Sequence, residues 1–272
     1  MSDLQTYLDK AIEAARAAET IICRYYLGEF DVEFKADASP VTVADVECEQ
    51  AIKAVLSQAF PDHGFYGEEL GTESIDADHV WLIDPIDGTK SFVRGYPFFS
   101  TQIALLKKGA PRDELIVGVS NAPLFNGGEM ACAAKGLGAT LNGEPIATSD
   151  THTIAKTSLS MGNIASLGAS PAWPKIGELV GAVHRIRGYG DFYHYHLLAS
   201  GRIDAILESD LNILDIAALT VILREAGGDI TELGGGDIGL ETRSVFATNG
   251  RLRGAIAPYI AAWDEVRDGA RG

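Results

Sequence analysis

The residues best placed to do chemistry lie in one short run, Trp81-Leu82-Ile83-Asp84-Pro85-Ile86-Asp87-Gly88-Thr89-Lys90-Ser91-Phe92. A buried apolar strand delivers Asp84 at its end, where Pro85 biases the preceding residue to extended geometry and fixes its own φ. The chain then turns at Asp87-Gly88. Two carboxylates three residues apart on a rigid turn can hold hard cations through oxygen, and the Ile86 carbonyl between them offers a further ligand. Gly88 and Thr89 open a helical turn whose first N–H groups and positive dipole end suit a phosphate. Metal and phosphate would then meet at one point. Asp-x-x-Asp-Gly is also an ordinary surface turn, so further acids must decide. Glu68, after the run Gly64-Phe65-Tyr66-Gly67, and Asp215, at the start of a helix, are the candidates, although an Asp at a helix start is commonly only a cap.

The composition bounds what this cluster can serve. The chain has 272 residues, 46% hydrophobic and 22% charged, enough to bury a substantial core. With 38 Asp plus Glu against 22 Lys plus Arg, the formal net charge is −16. That charge repels phosphodiester backbones and anionic lipid heads, so neither a nucleic acid nor a membrane is expected as a partner. An anionic substrate would need divalent metal to supply the attraction. Cys23, Cys48 and Cys132 are odd in number and widely spaced, which suggests neither a disulfide framework nor a zinc site and fits a reducing cytoplasm. The N-terminal residues lack a basic and apolar leader pattern, and no apolar stretch reaches the roughly 18 residues of a membrane span. A cytoplasmic protein is expected.

The elements that must position these acids can be read from periodicity. Leu4, Leu8, Ile12, Ala15, Ile21 and Ile22 predict a long helix from about residue 3 to 27, capped by Ser2 or Asp3 and ended by Gly28. Thr42 to Phe60 carries a second helical pattern, stopped by Pro61. Val80–Ile83, Thr101–Leu106, Leu115–Ser120 and Gly128–Ala134 read as strands, and Asn142-Gly143 as a hairpin turn. After a Ser/Thr-rich seam at 148–157 come helices at Pro171–His184, Asp191–Ala199, Asp215–Ala226 and Leu252–Val266, with strands at Ile203–Leu207, Ile230–Thr231 and Ser244–Thr248. Two helices feeding a run of strands predict an α+β fold of helix on sheet with largely antiparallel pairing. Two lobes are expected: 1–148 with most of the acids, and 149–272 with Asp215.

Gly67-Glu68-Glu69, Asp84-Pro85-Ile86-Asp87-Gly88-Thr89 and Leu214-Asp215-Ile216-Ala217-Ala218, followed by Glu225-Ala226-Gly227-Gly228, resemble in order and spacing the signatures of the inositol monophosphatase family of metal-dependent phosphatases. Upstream, Ser39-Pro40-Val41-Thr42-Val43-Ala44-Asp45 is similar to that family's segment bearing an acid that orients a catalytic threonine. Leu214-Asp215 stands where the family usually has Trp-Asp, and the Asp-Gly-Thr motif continues Lys90-Ser91-Phe92, where Asn is common in the middle position. The resemblance implies a layered α-β-α-β-α sandwich, usually a homodimer, using two or three Mg²⁺ per site with Mn²⁺ able to substitute. Glu68, Asp84 and the Ile86 carbonyl would hold one ion. Asp84, Asp87 and Asp215 would hold another about 3.5 to 4 Å away. Thr89, oriented by Asp45, would take the proton of an attacking water, with Glu68 also counted in the catalytic set. The N–H groups of Gly88 and Thr89 would bind the phosphate.

The resemblance leaves the phosphate ester open. Tyr189-Gly190-Asp191, followed by Leu197-Leu198-Ala199-x-Gly201, is most like the histidinol-phosphatase branch, as is Lys35-x-Asp37-x-Ser39-Pro40-Val41-Thr42. Asp191 and Glu208 would receive the ammonium group of the substrate; the plainer alternatives are a helix cap for Asp191 and a solvated strand-end acid for Glu208. The expected activity is hydrolysis of histidinol phosphate, a small phosphorylated metabolite. An inositol-1-monophosphatase of broad specificity and, more remotely, a non-catalytic binder of phosphorylated metabolites are the alternatives. A Walker-type loop and a dinucleotide Gly-x-Gly-x-x-Gly are absent from the sequence. His194 and His196 flank Tyr195 but, two apart on a helix, face different ways.

Overall fold

The computed structural model describes residues 3–26, 32–34, 40–109 and 111–263. They open with helix α1 (Asp3–Tyr26), the short strands β1 (Val32–Phe34) and β2 (Pro40–Thr42), and helix α2 (Val43–Ala59). Then follow β3 (Gly64–Gly67), β4 (Gly71–Glu73), β5 (His79–Asp87), α3 (Thr89–Val93), β6 (Ser100–Lys107), β7 (Glu114–Ala122), β8 (Glu129–Ala134), β9 (Gly138–Leu141) and β10 (Glu144–Ile146). Gly28, expected to end the first helix, and Lys35, Asp37 and Ser39 lie outside the described residues.

Strands β3 to β10 form an eight-stranded sheet in the order β10-β9-β8-β7-β6-β5-β3-β4, antiparallel except where β3 runs parallel to β5. Helix α1 buries Leu8, Ala11, Ala14, Ala15, Ala18 and Ile22, a stripe of mostly small residues that allows close approach to α2 and to β6–β8. Helix α2 contributes Cys48, Ile52 and Leu56 to the same core, which also takes Trp81 and Ile83 of β5 and Ile103 and Leu105 of β6. Each fully buried Ile or Leu here stabilises the fold by about 1.5–3 kcal/mol. Between β9 and β10, Asn142 and Gly143 both adopt positive φ (52° and 82°), the type I′ geometry expected of Asn-Gly.

The remaining elements are β11 (Ser158–Met161), α4 (Ile164–Ala169), α5 (Trp173–Ala182), β12 (Arg185–Arg187), α6 (Asp191–Ala199), β13 (Ala205–Ser209), α7 (Ile213–Glu225), β14 (Asp229–Thr231), β15 (Ser244–Thr248) and α8 (Arg253–Ile260). The second sheet has the order β12-β11-β13-β15-β14 and is mixed, since β11 runs parallel to both β12 and β13. Its core includes Leu159, Ile176, Leu179, Leu207, Phe246 and Ile256. The helix expected over Pro171–His184 is shorter, because Val183 has turned to extended geometry (ψ 155°). The last helix stops at Ile260, and residues beyond 263 are outside those described.

The chain divides into two compact units, one made of residues up to Pro145 together with Leu214–Glu225, the other of Ile146–Ile213 and Ala226 onward. A single cut after residue 148 therefore differs from the observed division, because most of α7 packs with the first unit. Gly118 of β7 permits this: a Cβ there would lie 2.3 Å from the Ala218 carbonyl oxygen of α7. Asp215 is thereby carried into the first unit with the other acids.

Candidate active site

Strand β5 is buried from Val80 to Ile86 and ends in the acid pair. In a regular strand residues three apart point to opposite faces. Here the ladder to β6 slips: Asp84 pairs with Gln102 and Asp87 with Ser100, so that Pro85 and Ile86 of β5 oppose Thr101 alone on β6. Pro85 has no N–H to give the ladder, the Ile86 N–H turns instead to Asp84 Oδ1 at 3.0 Å, and the Pro85 carbonyl accepts from the Thr101 hydroxyl at 2.9 Å. The bulge brings both carboxylates to one side. Asp215, in the first turn of α7, completes the cluster, with one ligand oxygen each from Asp84, Asp87 and Asp215 all within 4.8 Å of one another.

Glu68 arrives by a different route. Gly67 of β3 pairs with Ile83 of the parallel β5, and the Glu68 N–H bonds the Ile83 carbonyl at 3.1 Å, which sets residue 68 beside residue 84. Asp84 is 2% exposed. Its burial, then the charges of Glu68, Asp87 and Asp215 and a hydrogen bond with Glu68, push its carboxyl well above the usual range. Three acids crowded around a fourth, buried carboxylate, with no soft ligand among them, form a donor set that fits a hard divalent cation such as Mg²⁺.

Gly88 precedes α3 with φ 91°, a conformation that favours glycine, and a Cβ there would come within 2.8 Å of the Phe98 carbonyl oxygen. Thr89, the first residue of α3, points its hydroxyl to the Ile86 carbonyl at 2.9 Å and to Asp45 Oδ1 at 3.3 Å. Asp45 is itself buried in the first turn of α2. One proton serves both acceptors, so the Thr89 hydroxyl is held by the two groups on its donor side.

Two features of the sequence gave no sign of their roles. Glu49, one turn beyond Asp45 on α2, is 2% exposed and accepts the N–H groups of Glu69 at 2.7 Å and Leu70 at 3.1 Å. Burial raises its pKa, the two N–H bonds oppose that, and Glu69 and Glu68 add to the rise. In the second unit, Glu208 is not a solvated strand-end acid: it is buried, and its Oε2 accepts from the Tyr195 hydroxyl at 2.7 Å and contacts His194 Nε2 at 3.0 Å. His194 Nδ1 in turn lies 3.2 Å from the Ser160 hydroxyl. Asp191 is exposed, with φ 44°, directly after Gly190 at the start of α6.

Comparison with known proteins places this geometry. The profile of the Inositol monophosphatase family matches residues 3–264. The chain belongs to that family. It is 39% identical over 223 residues to the "Bifunctional phosphatase IMPL2, chloroplastic" of Arabidopsis thaliana, covering 80% of this chain and 62% of that longer protein. It is 35% identical over 252 residues to the histidinol-phosphatase of Mycobacterium tuberculosis, covering 92% and 95% of the two chains. The inositol-1-monophosphatase of a Synechocystis species is 34% identical over 268 residues, 96% and 91% of the chains. Among solved structures, an inositol monophosphatase from Anabaena superposes with a TM-score of 0.81 at 29% identity, covering 97% and 99%. The α+β fold is thus that of the family. Its members are metal-dependent phosphatases, typically using Mg²⁺, that hydrolyse small phosphate monoesters, and this chain is a phosphatase of that kind. Among the described residues no helix is long and apolar enough to cross a membrane.

Proposed function

We propose that this phosphatase hydrolyses histidinol phosphate to histidinol and inorganic phosphate. In this reading Glu68, Asp84, the Ile86 carbonyl, Asp87 and Asp215 hold two or three Mg²⁺, with Mn²⁺ able to substitute. When bound, the metal supplies Lewis acidity that makes water nucleophilic near neutral pH and neutralises the phosphate charge. The convergence of Asp84, Asp87 and Asp215 is the observation that carries the reading.

The protein's own groups then have distinct tasks. Thr89, whose hydroxyl proton is drawn toward Asp45 and the Ile86 carbonyl, turns a lone pair outward and accepts the proton of the attacking water. As it does so, the Thr89 hydroxyl passes its own proton to Asp45 Oδ1, so that no charge is left on the alcohol oxygen. The N–H groups of Gly88 and Thr89 donate to the phosphate oxygens as negative charge accumulates there. Asp191 and Glu208 receive the substrate ammonium.

Support for this ester comes from the Mycobacterium relative, which aligns along nearly the whole chain, and from Asp191, an exposed acid at the start of α6. The reading further takes the enzyme as a cytoplasmic homodimer. Free thiols at Cys23, Cys48 and Cys132 agree with a reducing compartment. The test is phosphate release from histidinol phosphate, inositol 1-phosphate, fructose 1,6-bisphosphate and phosphoadenosine phosphate in Mg²⁺ buffer. The highest kcat/KM is expected on histidinol phosphate; a preference for inositol 1-phosphate would replace the substrate and keep the chemistry. No release from any ester would favour a non-catalytic binder.

A further inference from the structure

Helix α2 presents three side chains at successive turns along one face, and each grips a different part of the acid cluster's frame. Asp45 meets Thr89. Lys53 pairs with Glu73 of β4 and lies over the Phe65 ring of β3, 5.3 Å from its centroid. Between them Glu49 accepts the N–H groups of Glu69 and Leu70, the tip of the β3–β4 hairpin. Residue 67 has to be glycine for this, since a Cβ there would lie 1.7 Å from Glu49 Oε1.

We propose that Glu49 is a positioning residue that holds the 67–70 turn so that the Glu68 carboxylate stays beside Asp84 ready for metal. The inference rests on the reading of Glu68 as a metal ligand. Its physical basis is that Glu68, Asp84, Asp87 and Asp215 carry like charges, so the exposed turn bearing Glu68 gains by swinging away from the other three. Ladder bonds between β3 and β4 end at Gly67 and Gly71 and the Glu68 N–H is taken by Ile83, so the Glu69 and Leu70 N–H groups are the part of the tip that Glu49 fixes. Two N–H bonds to an ionised acceptor are short, charge-assisted and directional. Loss of such outer partners typically weakens metal affinity by about 10- to 100-fold.

The test is direct Mn²⁺ binding by the full chain, read from the electron paramagnetic resonance signal of the free ion, on wild type, Glu49→Gln and Gly67→Ala. Glu49→Gln keeps the shape but turns an NH₂ toward one of the two N–H donors. Gly67→Ala keeps every charge and displaces the Glu49 carboxylate, so it carries the test if Glu49→Gln does not fold. Both variants are expected to bind Mn²⁺ about 10- to 100-fold more weakly, with a smaller Mg²⁺-induced rise in Tm, and with kcat at saturating Mg²⁺ within a few-fold of wild type. A lowered Tm with Mn²⁺ affinity unchanged means that Glu49 only supports the fold, which overturns the proposal. Weaker binding in Glu49→Gln but not in Gly67→Ala would assign the effect to charge alone and overturn it too. A wild type that binds no Mn²⁺ would instead fail the metal reading, and the Glu49 role with it.

Discussion

Asp45 and Thr89 stand 44 residues apart in the chain and meet at 3.3 Å, each in the first turn of its helix. The contact joins α2 to the turn that follows the acid-bearing strand, and it fixes which side of the Thr89 oxygen carries the proton. Replacing Thr89 by Ala should lower kcat by about 10²-fold or more while KM stays within a few-fold, because the hydroxyl acts on the attacking water rather than on the ester. Steady-state kinetics with saturating Mg²⁺ checks this. A rise in KM alone would make Thr89 a phosphate binder.

Neutralising Asp84 should separate stability from function. Asp84→Asn removes a buried charge that three neighbouring carboxylates oppose, so the metal-free variant is expected to melt at or above the wild-type temperature. It should nonetheless lose most activity. Mg²⁺ at about 100 times its Kd should stabilise the wild type by about 2.7 kcal/mol and the variant by far less. Calorimetry with and without Mg²⁺ reads both; an equal Mg²⁺ shift in the two proteins removes Asp84 from the metal site.

Asp191→Ala tests the substrate assignment. Loss of an ammonium partner should reduce kcat/KM on histidinol phosphate by about tenfold or more, about 1.4 kcal/mol, and spare p-nitrophenyl phosphate, which has no amine. A side chain that only caps α6 would instead cost about 1 kcal/mol of stability and affect both substrates alike. Equal losses on both substrates would remove the ammonium role.

His63 should make the fold acid-sensitive. It stacks between Phe60 and His79, with ring centroids 4.9 Å from each, and burial together with His79 lowers its pKa from 6.5 to about 4, against a smaller opposite pull from Asp62. Burial and Lys107 lower His79 in the same sense, opposed by Asp78. Between these limits the unfolded chain binds a proton that the folded chain refuses. Stability is therefore complete above about pH 6.5 and falls as pH drops toward 4. His63→Phe keeps the stacking and should flatten this decline in urea midpoints measured from pH 7 to 4.5; a slope identical to wild type refutes the assignment.

Gly118→Ala should act on the acid cluster from a distance. The added methyl meets the Ala218 backbone, so α7 must move, at a cost of about 1–3 kcal/mol, and Asp215 moves with it. A lower Tm together with a reduced Mg²⁺-induced shift is expected. A lower Tm with the full shift would show that Asp215 tolerates the displacement.

Much of this molecule is legible from residue order. The alanine-rich periodicity of α1, the strand runs of the large sheet and the Asn142-Gly143 turn are local patterns, and local patterns follow from backbone sterics and side-chain period. The motif residues Glu68, Asp84, Asp87, Thr89 and Asp215 could be named because their types and their order along the chain carry the chemistry. Strand period alone, however, puts Asp84 and Asp87 on opposite faces. Only the slipped pairing of β5 against Ser100 and Gln102 turns them to one side, and that slip depends on a partner strand contributed by a distant stretch of chain. The same holds for Asp215, brought in by a helix that docks where Gly118 leaves room, and for Glu49, whose N–H donors lie 20 and 21 residues away. Nothing near Glu208 in sequence foretells that Tyr195 and His194 close over it, which is why a solvated strand-end acid stood as the plainer alternative. The sequence by itself determined which groups are available and the chemistry they can do; tertiary structure decided which of them converge, since burial and contact between distant segments are properties of packing and carry no local period.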